Sequence, residues 1–592
     1  MQKMYLKLEL LLLIYYVIPS HSVGSINWVC RQPENQCRRI IGPEIHNNIS
    51  MPVCRLTCGE GGTLWPYPSE AFKISKDLIP IDIMQRSFNV EFKYHSSYDS
   101  MAYKSFTKHY EELFEQLFKG APAFYFSNNK EPSLYKNKQA IPVRVKVIVD
   151  LNKERLSYDT YEGYVLSKDN DSPDIIIISD NNFGARHAII TLLQLIIYDP
   201  LTQLYLMPSS FHIPDRPAYS HRGVMLDTAH NFMTVDAIKR LLLGLSLSKI
   251  NTIHWHITDS SSFPLITLKN SKLARYGAYA ANKVYSTLDI LSIMEYANMV
   301  GIRLIPEVPI PAPMGSGWQW GSNANIGDLV VCYNQPPYNN KCKNPPCGQL
   351  NIVNPNAVEL VKSLYSEIIA LFGKSIYHLG GSGVDISCWS GINTEEGNRL
   401  WANLLNDIAD MIIARGGEVI IFSNDLLNDT TEWLSPNKFI VQVTEEENIA
   451  WIQELITRGY RLILSPEDRA RWDCGYGQYS QYQVTGNCNR PLGWHASYDI
   501  TAQNRVIGSN KILGGEGMLY SYFSGSYNTD ERMLLKAAGL AERFWSNPTN
   551  NYLGGFTRIG YYSWWLKSIG FNVESVEPYW CTQNTGKCLL GE

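Results

Sequence analysis

The chain has 592 residues, of which 45% are hydrophobic and 18% are charged. This composition is typical of a folded globular protein and excludes a disordered one. The chain is too long to fold around one ordinary hydrophobic core, so we expect two or more domains. The formal net charge of −4 is small for this length, and no basic or acidic run stands out. Binding to nucleic acid and electrostatic attachment to a membrane are therefore not expected.

The first 22 residues have the pattern of a secretory signal peptide. Lys3 and Lys7 supply the positive charge, residues 8–19 form an apolar stretch, and residues 20–22 form a small-x-small cleavage site. The apolar stretch is shorter than the roughly 20 residues that span a membrane, although an uncleaved anchor is the alternative. No later segment has the length and apolarity of a span. We expect a protein that is secreted, or alternatively lysosomal, with no membrane partner.

Twelve cysteines, an even number, are typical of an oxidising compartment. We expect the four near the N-terminus to pair among themselves, Cys474 to pair with Cys488, and Cys581 to pair with Cys588. The spacing leaves the pairing of the other four open. No Cys/His spacing matches a zinc site, so we predict no metal and no cofactor. The N-terminal four are Cys30, Cys37, Cys54 and Cys58, and the other four are Cys332, Cys342, Cys347 and Cys388.

Three Asn-x-Ser/Thr sequons offer acceptor sites for N-linked glycans in an exported chain. Those at Asn48 and Asn428 predict glycosylation. The sequon at Asn170 is weakened by Pro173, which follows it directly.

The pattern of strands and helices divides the exported chain into three parts. Residues 23–69 are rich in cysteine and loop-like. Residues 70–215 mix strand and helix signals. Within residues 141–149, valine occupies every second position from 143, which predicts a strand, whereas residues 183–198 have helical spacing. This second part is expected to be a smaller α+β domain with no catalytic constellation of its own.

Residues 216–592 repeat an alternation of strand and helix. Eight apolar runs predict strands at 222–227, 251–257, 302–309, 375–381, 418–423, 439–444, 460–465 and 512–520. Such an alternation predicts an α/β fold, a closed (β/α)₈ TIM barrel whose working face lies at the C-terminal ends of the strands. The alternative is an open doubly wound sheet, which usually carries a Gly-rich phosphate-binding turn after its first strand. No such turn follows residue 227.

Several segments of this third part form recognisable motifs. Residues 222–227 read Arg-Gly-Val-Met-Leu-Asp, and residues 251–259 read Asn-Thr-Ile-His-Trp-His-Ile-Thr-Asp. With segments at 183–187, 315–318, 493–494 and 541–545, they resemble glycoside hydrolase family 20, the β-N-acetylhexosaminidases, in their secreted or lysosomal animal form. The similarity runs from about residue 60 to the C-terminus. It implies the barrel fold and a ligand that contains N-acetylhexosamine.

The resemblance also implies a substrate-assisted mechanism, in which the acetamido oxygen of the sugar attacks the anomeric carbon. A Glu protonates the leaving oxygen, and the Asp before it orients the acetamido group. The family carries this pair directly after two glycines, where this chain has Ser382 and Gly383. Neither residue donates a proton at neutral pH. We interpret Asp385, the nearest acid, as a residue at a helix start rather than a substitute acid.

Other positions that the resemblance assigns to the sugar subsite differ as well. Pro313 replaces a histidine, Arg471 replaces the tyrosine that bonds the acetamido group, and Tyr520-Ser521-Tyr522 replaces Trp-Ser-Glu. Looser alignments put Phe422 and Thr444 at two pocket tryptophans. We therefore predict that no catalytic residue is intact.

Four positions match the family and are candidate remnants of substrate binding. Arg222 matches an arginine that grips ring hydroxyls, Asp259 matches a residue that holds the acetamido-side Asp, and His378 and Trp494 match a supporting residue and a pocket wall. The structural alternative is that Arg222 and Asp259 pair with each other or with neighbours under the barrel mouth.

Three hypotheses of function follow. The first is a secreted, catalytically inactive homologue that binds N-acetylhexosamine glycans or chitin oligosaccharides. The alternative is an active β-N-acetylhexosaminidase with altered chemistry. The third is an interaction protein that forms a homodimer or pairs with an active relative, because fold alone does not decide function.

Overall fold

The computed structural model describes residues 27–31, 35–40, 49–92, 108, 140–151, 153, 155–338, 341–342, 345–428, 431–476, 490–584 and 588. The predicted signal peptide, Asn48 and Cys488 lie outside the described residues. Among the helices of the described part, none has the length and apolarity needed to cross a membrane.

The N-terminal segment is a small unit held by two disulfides. Strands β1 (Asn27–Arg31) and β2 (Gln36–Ile40) pair as an antiparallel hairpin, and helix α1 (Met51–Thr57) packs beside them. The disulfides join Cys30 to Cys58 and Cys37 to Cys54. The prediction that these four cysteines pair among themselves is confirmed.

In its described residues, the next part is an eight-stranded mixed sheet with one long buried helix. Its strands run in the order β3-β10-β6-β7-β5-β4-β9-β8, with β4, β5 and β7 mutually parallel and the other pairs antiparallel. Helix α2 (Asn182–Leu195) follows β7 and is buried along its whole length. This arrangement is the predicted α+β domain. The strands are β3 (Lys73–Ile74), β4 (Leu78–Phe92), β5 (Ile141–Leu151), β6 (Tyr164–Lys168), β7 (Asp174–Asn181), β8 (Ile197–Asp199), β9 (Leu204–Pro208) and β10 (Phe211–Asp215).

The largest part is a closed barrel of eight parallel strands. The strand order around it is β11-β12-β13-β16-β17-β18-β19-β20, and each strand overlaps one of the eight predicted runs. The predicted fold class is confirmed. The remaining strands, β14 and β15, pair with each other as a short ribbon. The ten strands are β11 (His221–Asp227), β12 (Thr252–His256), β13 (Arg303–Glu307), β14 (Val330–Val331), β15 (Gln349–Leu350), β16 (Ile376–His378), β17 (Glu418–Phe422), β18 (Phe439–Val443), β19 (Arg461–Leu464) and β20 (Ile512–Leu519).

Helices surround the barrel. Most of the long helices begin at a polar residue that accepts a backbone hydrogen bond or carry acidic residues in their first turn, which satisfies exposed N–H groups there. The helices are α3 (Val235–Ser246), α4 (Lys272–Gly277), α5 (Thr287–Met299), α6 (Pro355–Phe372), α7 (Thr394–Ile413), α8 (Asp425–Asn428), α9 (Ile449–Thr457), α10 (Glu467–Ala470), α11 (Trp494–Tyr498), α12 (Thr529–Ser546), α13 (Phe556–Ser568) and α14 (Tyr579–Gln583).

Branched side chains hold the barrel together from within. Five isoleucines from five consecutive strands, β13 and β16 to β19, pack as one buried cluster. Bulky branched side chains in layers are what fills the inside of such a barrel. The five are Ile305, Ile376, Ile420, Ile440 and Ile463.

Three further disulfides join described cysteines of the barrel part. Cys332 pairs with Cys388 and Cys342 pairs with Cys347 within the connections around β14 to β16, which resolves the pairing that spacing left open. The predicted Cys581–Cys588 bond is confirmed. Cys474 is also disulfide-bonded, and its predicted partner lies outside the described part.

Trp65 joins the N-terminal segment to the C-terminal helices. Its side chain is fully buried, its Nε1–H donates to the carbonyl oxygen of Ala538 at 2.9 Å, and its backbone N–H donates to Gln194 Oε1 at 2.7 Å. Its ring contacts Trp494 edge-on at 6.3 Å and stacks on Tyr562 at 6.2 Å.

We predict that Trp65→Ala lowers the free energy of unfolding by about 3–5 kcal/mol, because it leaves a cavity and removes a buried hydrogen bond. Denaturant unfolding of both proteins measures the difference. The control is Leu268→Ala, since Leu268 is 89% exposed. Equal stability of the two variants would contradict this view of the junction.

Candidate functional site

A cleft of about 410 Å³ opens at the C-terminal ends of the barrel strands. Glu307 at the end of β13, Phe422 at the end of β17 and Tyr520 just after β20 all line it. The cleft therefore lies on the working face predicted for a (β/α)₈ barrel.

Ser382 and Gly383 lie in this cleft, just beyond the two glycines that follow β16. Gly380 has φ of +69°, and a Cβ there would lie 2.6 Å from the Pro309 Cβ and 2.8 Å from Glu307 Oε1. Glycine is required at this position because of both the left-handed backbone and the lack of space. Ser382 is half-buried and Gly383 is exposed. The two side chains offer a hydroxyl and nothing else, so this segment supplies no carboxyl group to the cleft.

Glu307 is the centre of a buried ion network under the cleft. Its Oε2 accepts a hydrogen bond from His256 Nδ1 at 2.6 Å. The same oxygen lies 2.9 Å from His254 Nε2, in a direction that forms an ion pair but no hydrogen bond. On its other side, His254 donates through Nδ1 to Glu516 Oε1 at 2.7 Å, and Glu516 Oε2 contacts His221 Nε2 at 2.9 Å.

His230 extends this network of alternating histidines and carboxylates to the cleft itself. Its Nδ1 donates to Asp227 Oδ2 at 2.5 Å, and its Nε2 lies 3.0 Å from Asp259 Oδ2. The same Asp259 oxygen lies 3.9 Å from His256 Nε2. Sequence reasoning predicted Asp259 but missed His230. The available signal was a histidine three residues after an aspartate that ends a buried strand.

The network sets the charge of each group. Burial alone would lower the pKa of His230, but the carboxylates of Asp259 and Asp227 raise it to about 10. Burial alone would also lower the pKa of His254, but the carboxylates of Glu516 and Glu307 raise it to about 9. These imidazoles are positively charged at neutral pH.

The carboxyl groups shift in the opposite direction. Burial alone would raise the pKa of Glu307, but the imidazolium groups of His256 and His254 hold that pKa well below its ordinary value. The pKa of Asp259 is likewise lowered, because His230 and His256 outweigh burial. Both acids are ionised at neutral pH and have no proton to give.

His378 lies beneath the cleft and is fully buried. Its ring stacks on His254 at a centroid distance of 4.2 Å and contacts Phe422 at 4.3 Å. Burial and the charge of His254 lower the pKa of His378 to about 3. It is therefore neutral, in contrast to the charged ring beside it.

His254, Glu307 and His378 bring ligand atoms within 4.8 Å of one another, as a metal site would require. The Gly380 N–H donates to His378 Nδ1 at 2.9 Å, which leaves the proton of the neutral ring on Nε2. That nitrogen is then a donor and not a ligand. His254 is held as a cation between two carboxylates. The donor set thus fits an ion network better than a metal, and the predicted absence of a metal stays a prediction.

Aromatic rings and Arg471 form one side of the cleft. Tyr520 and Tyr522 stack at 5.9 Å, and His230 contacts the Tyr522 ring at 4.1 Å. The Arg471 guanidinium lies 5.2 Å from the Tyr520 ring centroid and 3.3 Å from Asp473. Four positions were predicted to differ from the family, and all of them line the cleft: Pro313, Arg471, Tyr520 and Tyr522.

The sequence matches the family described as "Glycosyl hydrolase family 20, catalytic domain" over residues 219–548, more than half of the chain. A second match, "beta-acetyl hexosaminidase like", covers residues 64–195. This chain belongs to glycosyl hydrolase family 20.

Relatives of this family 20 chain include a chitooligosaccharidolytic β-N-acetylglucosaminidase of Ostrinia furnacalis. It is 30% identical over 570 residues, 91% of each chain. The β-hexosaminidase subunit alpha of Bos taurus is 26% identical over 552 residues, 90% of this chain and 97% of the relative.

Solved structures share the fold. A chitobiase of Flavobacterium johnsoniae has a TM-score of 0.63 at 21% identity, over 86% of this chain and 73% of its own. An exo β-N-acetylglucosaminidase of Vibrio harveyi in complex with N-acetylglucosamine has a TM-score of 0.65 at 18% identity, over 87% and 79%.

The prediction that Arg222 contacts a sugar is wrong. Arg222 is the second residue of β11, at the end of the barrel opposite the cleft, and its side chain is fully buried. Its Nη2 donates to Glu162 Oε2 at 2.6 Å, and its Nε donates to the Lys249 carbonyl oxygen at 2.9 Å. Arg222 therefore joins the barrel to the preceding domain. Among the described residues, the partners of its guanidinium do not include Asp259 or another group under the barrel mouth.

The prediction that Trp494 forms a pocket wall is also wrong. Trp494 begins α11, and its ring packs against Trp65, Tyr498 and Tyr552. This aromatic cluster lies between the N-terminal segment and the C-terminal helices. The long-range contact with Trp65 fixes the position of Trp494, and no local pattern reveals that contact.

Four other candidate positions lie at the places that the sequence predicted or close to them. Phe422 and Thr444 line the cleft. Asp385 caps a single short turn, where its carboxylate accepts the Ser387 N–H at 2.9 Å. Asn428 of the predicted sequon is exposed at the cleft rim.

We predict that His230→Ala flattens the alkaline part of the stability profile. The pKa of His230 in the fold, about 10, lies above the value of about 6.5 in an unfolded chain. Its stabilising effect is therefore complete below pH 6.5 and is lost as the pH rises through about 10. Denaturant unfolding between these two pH values should show that the free energy of unfolding falls with rising pH for the natural protein and falls less for the variant.

The matched control is His212→Ala, because His212 is an exposed residue of β10. Near neutral pH, His230→Ala should cost about 3–5 kcal/mol, since it leaves two buried carboxylates without their shared cation. A pH profile identical to that of the natural protein would show that His230 is not charged in the fold.

Proposed function

We propose that this family 20 chain is a catalytically inactive homologue that binds glycans containing N-acetylhexosamine in the cleft at the barrel mouth. The observation that carries the proposal is the pair Ser382 and Gly383 in the cleft. A general acid must release a proton in the transition state, and its ideal pKa lies near the working pH. A serine hydroxyl and a glycine do not meet that requirement.

The other groups at the cleft floor do not replace the lost acid. Asp259 and Glu307 are held ionised by their histidine partners, and His230 holds its proton up to a pKa of about 10. A positioned general acid contributes about 10²–10⁴-fold to a rate. Without one, a useful rate of hydrolysis is not expected.

Two polar atoms at the floor favour binding of a hydroxyl-rich ligand. His256 and Glu307 line the cleft, and His256 Nε2 and Glu307 Oε1 are buried without a hydrogen-bond partner among the described residues. Buried polar atoms without partners are costly. A sugar hydroxyl is both a donor and an acceptor, so it can satisfy one atom or both.

The stacked rings of Tyr520 and Tyr522 add an apolar surface at the same mouth. A tyrosine ring packs on the apolar face of a ligand while the hydroxyl of the tyrosine stays in water. The names of the relatives support the choice of ligand, because one is called chitooligosaccharidolytic and another is a β-hexosaminidase subunit.

The remaining hypotheses stay proposals. Secretion, glycans on Asn48 and Asn428, and pairing with a second copy or an active relative are all consistent with the family. The relatives named as α and β subunits of β-hexosaminidase support the last of these.

We predict that a chitin tetramer binds the purified protein and that Tyr522→Ala weakens this binding about 3–10-fold, the worth of one aromatic contact. Isothermal titration measures both affinities. Tyr527→Ala is the control, because Tyr527 is 97% exposed and does not line the cleft. No heat from the natural protein at millimolar tetramer would contradict the proposal.

We further predict no turnover of an aryl β-N-acetylglucosaminide above the rate in buffer. Asp468 is the acid to check, because burial and the carboxylates of Glu446 and Glu447 raise its pKa at the cleft rim, although Arg469 opposes this. A measurable rate that Asp468→Asn or Asp385→Asn abolishes would favour the alternative, a hydrolase with altered chemistry.

A further inference from the structure

We propose that the cleft selects glycans whose hexosamine units carry free, protonated amines over their N-acetylated forms. This inference rests on the glycan binding proposed above, because it concerns the same cleft. It names the chemical class of ligand that the charges of the cleft favour.

Carboxylates dominate the cleft. Among the described residues that line it, seven are acidic, one is an arginine and two are histidines. The two histidines are already engaged at the floor, where His230 contacts Asp259 and His256 contacts Glu307. Five acidic residues remain around the rim, which are Asp425, Glu445, Glu446, Glu467 and Asp468.

Arg471, the one arginine among the described lining residues, does not balance this rim. Arg471 lies 3.3 Å from Asp473, which is buried behind the cleft, and 3.6 Å from Glu467. Arg469 lies 3.5 Å from Asp468. Among the described residues the rim therefore carries more negative than positive charge.

One backbone and one side-chain hydrogen bond hold the acidic loops side by side. The Glu467 N–H donates to the Thr444 carbonyl oxygen at 3.0 Å, and the Ser423 hydroxyl donates to Glu445 Oε2 at 2.6 Å. These bonds join the loops after β17, β18 and β19. The carboxylates are thus crowded at one place. Burial raises the pKa of Asp468, and Glu446 adds to this although Arg469 opposes it.

The cleft floor supplies a second, independent observation. Glu307 lines the cleft and is fully buried, and its Oε1 has no hydrogen-bond donor among the described residues. An ionised carboxylate oxygen only accepts hydrogen bonds. An ammonium group offers three N–H donors and a positive charge, whereas an acetamido group offers one N–H and no charge.

The test compares two ligands that differ only in acetylation. A β-linked glucosamine tetramer and the N-acetylglucosamine tetramer are titrated into the natural protein at mildly acidic pH, with a chelator present to exclude divalent cations. We expect the amine form to bind at least about tenfold more tightly, since a single charge pair of this kind is worth up to about 1 kcal/mol and several act together. Raising the ionic strength from about 0.01 to about 0.15 M should reduce this preference, because the screening length falls from about 30 to about 8 Å.

A rim variant tests the source of the preference. Glu445→Gln with Glu446→Gln keeps the side-chain shapes and removes two charges, so we expect the amine form to bind about tenfold more weakly and the N-acetyl form within about twofold. Glu359→Gln is the matched control, since Glu359 lies on the outer helix α6 with its side chain 76% exposed.

The outcomes separate this inference from the proposed function. Binding of the N-acetyl form with equal or weaker binding of the amine form would overturn the inference and leave the proposed function standing. Binding of neither form would overturn both. The comparison of the two ligands on the natural protein decides the matter even if the rim variant does not fold.

Discussion

The structure depends on a buried series of histidines and carboxylates that runs through the barrel to the cleft. From His221 the contacts pass through Glu516, His254 and Glu307 to His256, with successive distances of 2.6 to 2.9 Å. Asp259 and His230 extend the series at the cleft. Isolated charges at such depth would be very costly, but each charge here has a partner of opposite sign. The alternation therefore makes a charged interior compatible with a folded barrel.

The same network limits the chemistry of the cleft. Because each floor carboxylate neighbours a protonated imidazole, its pKa falls and it stays ionised. Catalysis by proton transfer needs a group whose pKa lies near the working pH, and Ser382 and Gly383 supply none. What the cleft retains is a stack of tyrosines, an acidic rim, and lining residues with buried polar atoms that have no hydrogen-bond partner among the described residues. These features support our proposal that the cleft recognises a sugar and does not cleave it.

The alternation of apolar strands and helices was sufficient to predict the barrel, because burial on both faces makes each strand a short apolar run. The glycines before Ser382 located the cleft, because a strand end in a barrel points to the working face. The failures have a common cause. Arg222 belongs to a motif that covers a whole barrel strand, and the motif does not show at which end of the barrel the arginine side chain lies. Trp494 and His230 owe their positions to partners on other elements, Trp65 and Asp259, and sequence spacing carries no record of those contacts.

The most direct test of this account is the fate of a bound oligosaccharide. A chitin tetramer is incubated with an excess of the protein, so that nearly all of it is bound, and the mixture is followed by mass spectrometry over days. The account predicts a complex in which the tetramer stays intact at the rate of the buffer control. Release of N-acetylglucosamine by the natural protein, abolished by Asp468→Asn, would show that a proton donor survives in the cleft and would contradict the account.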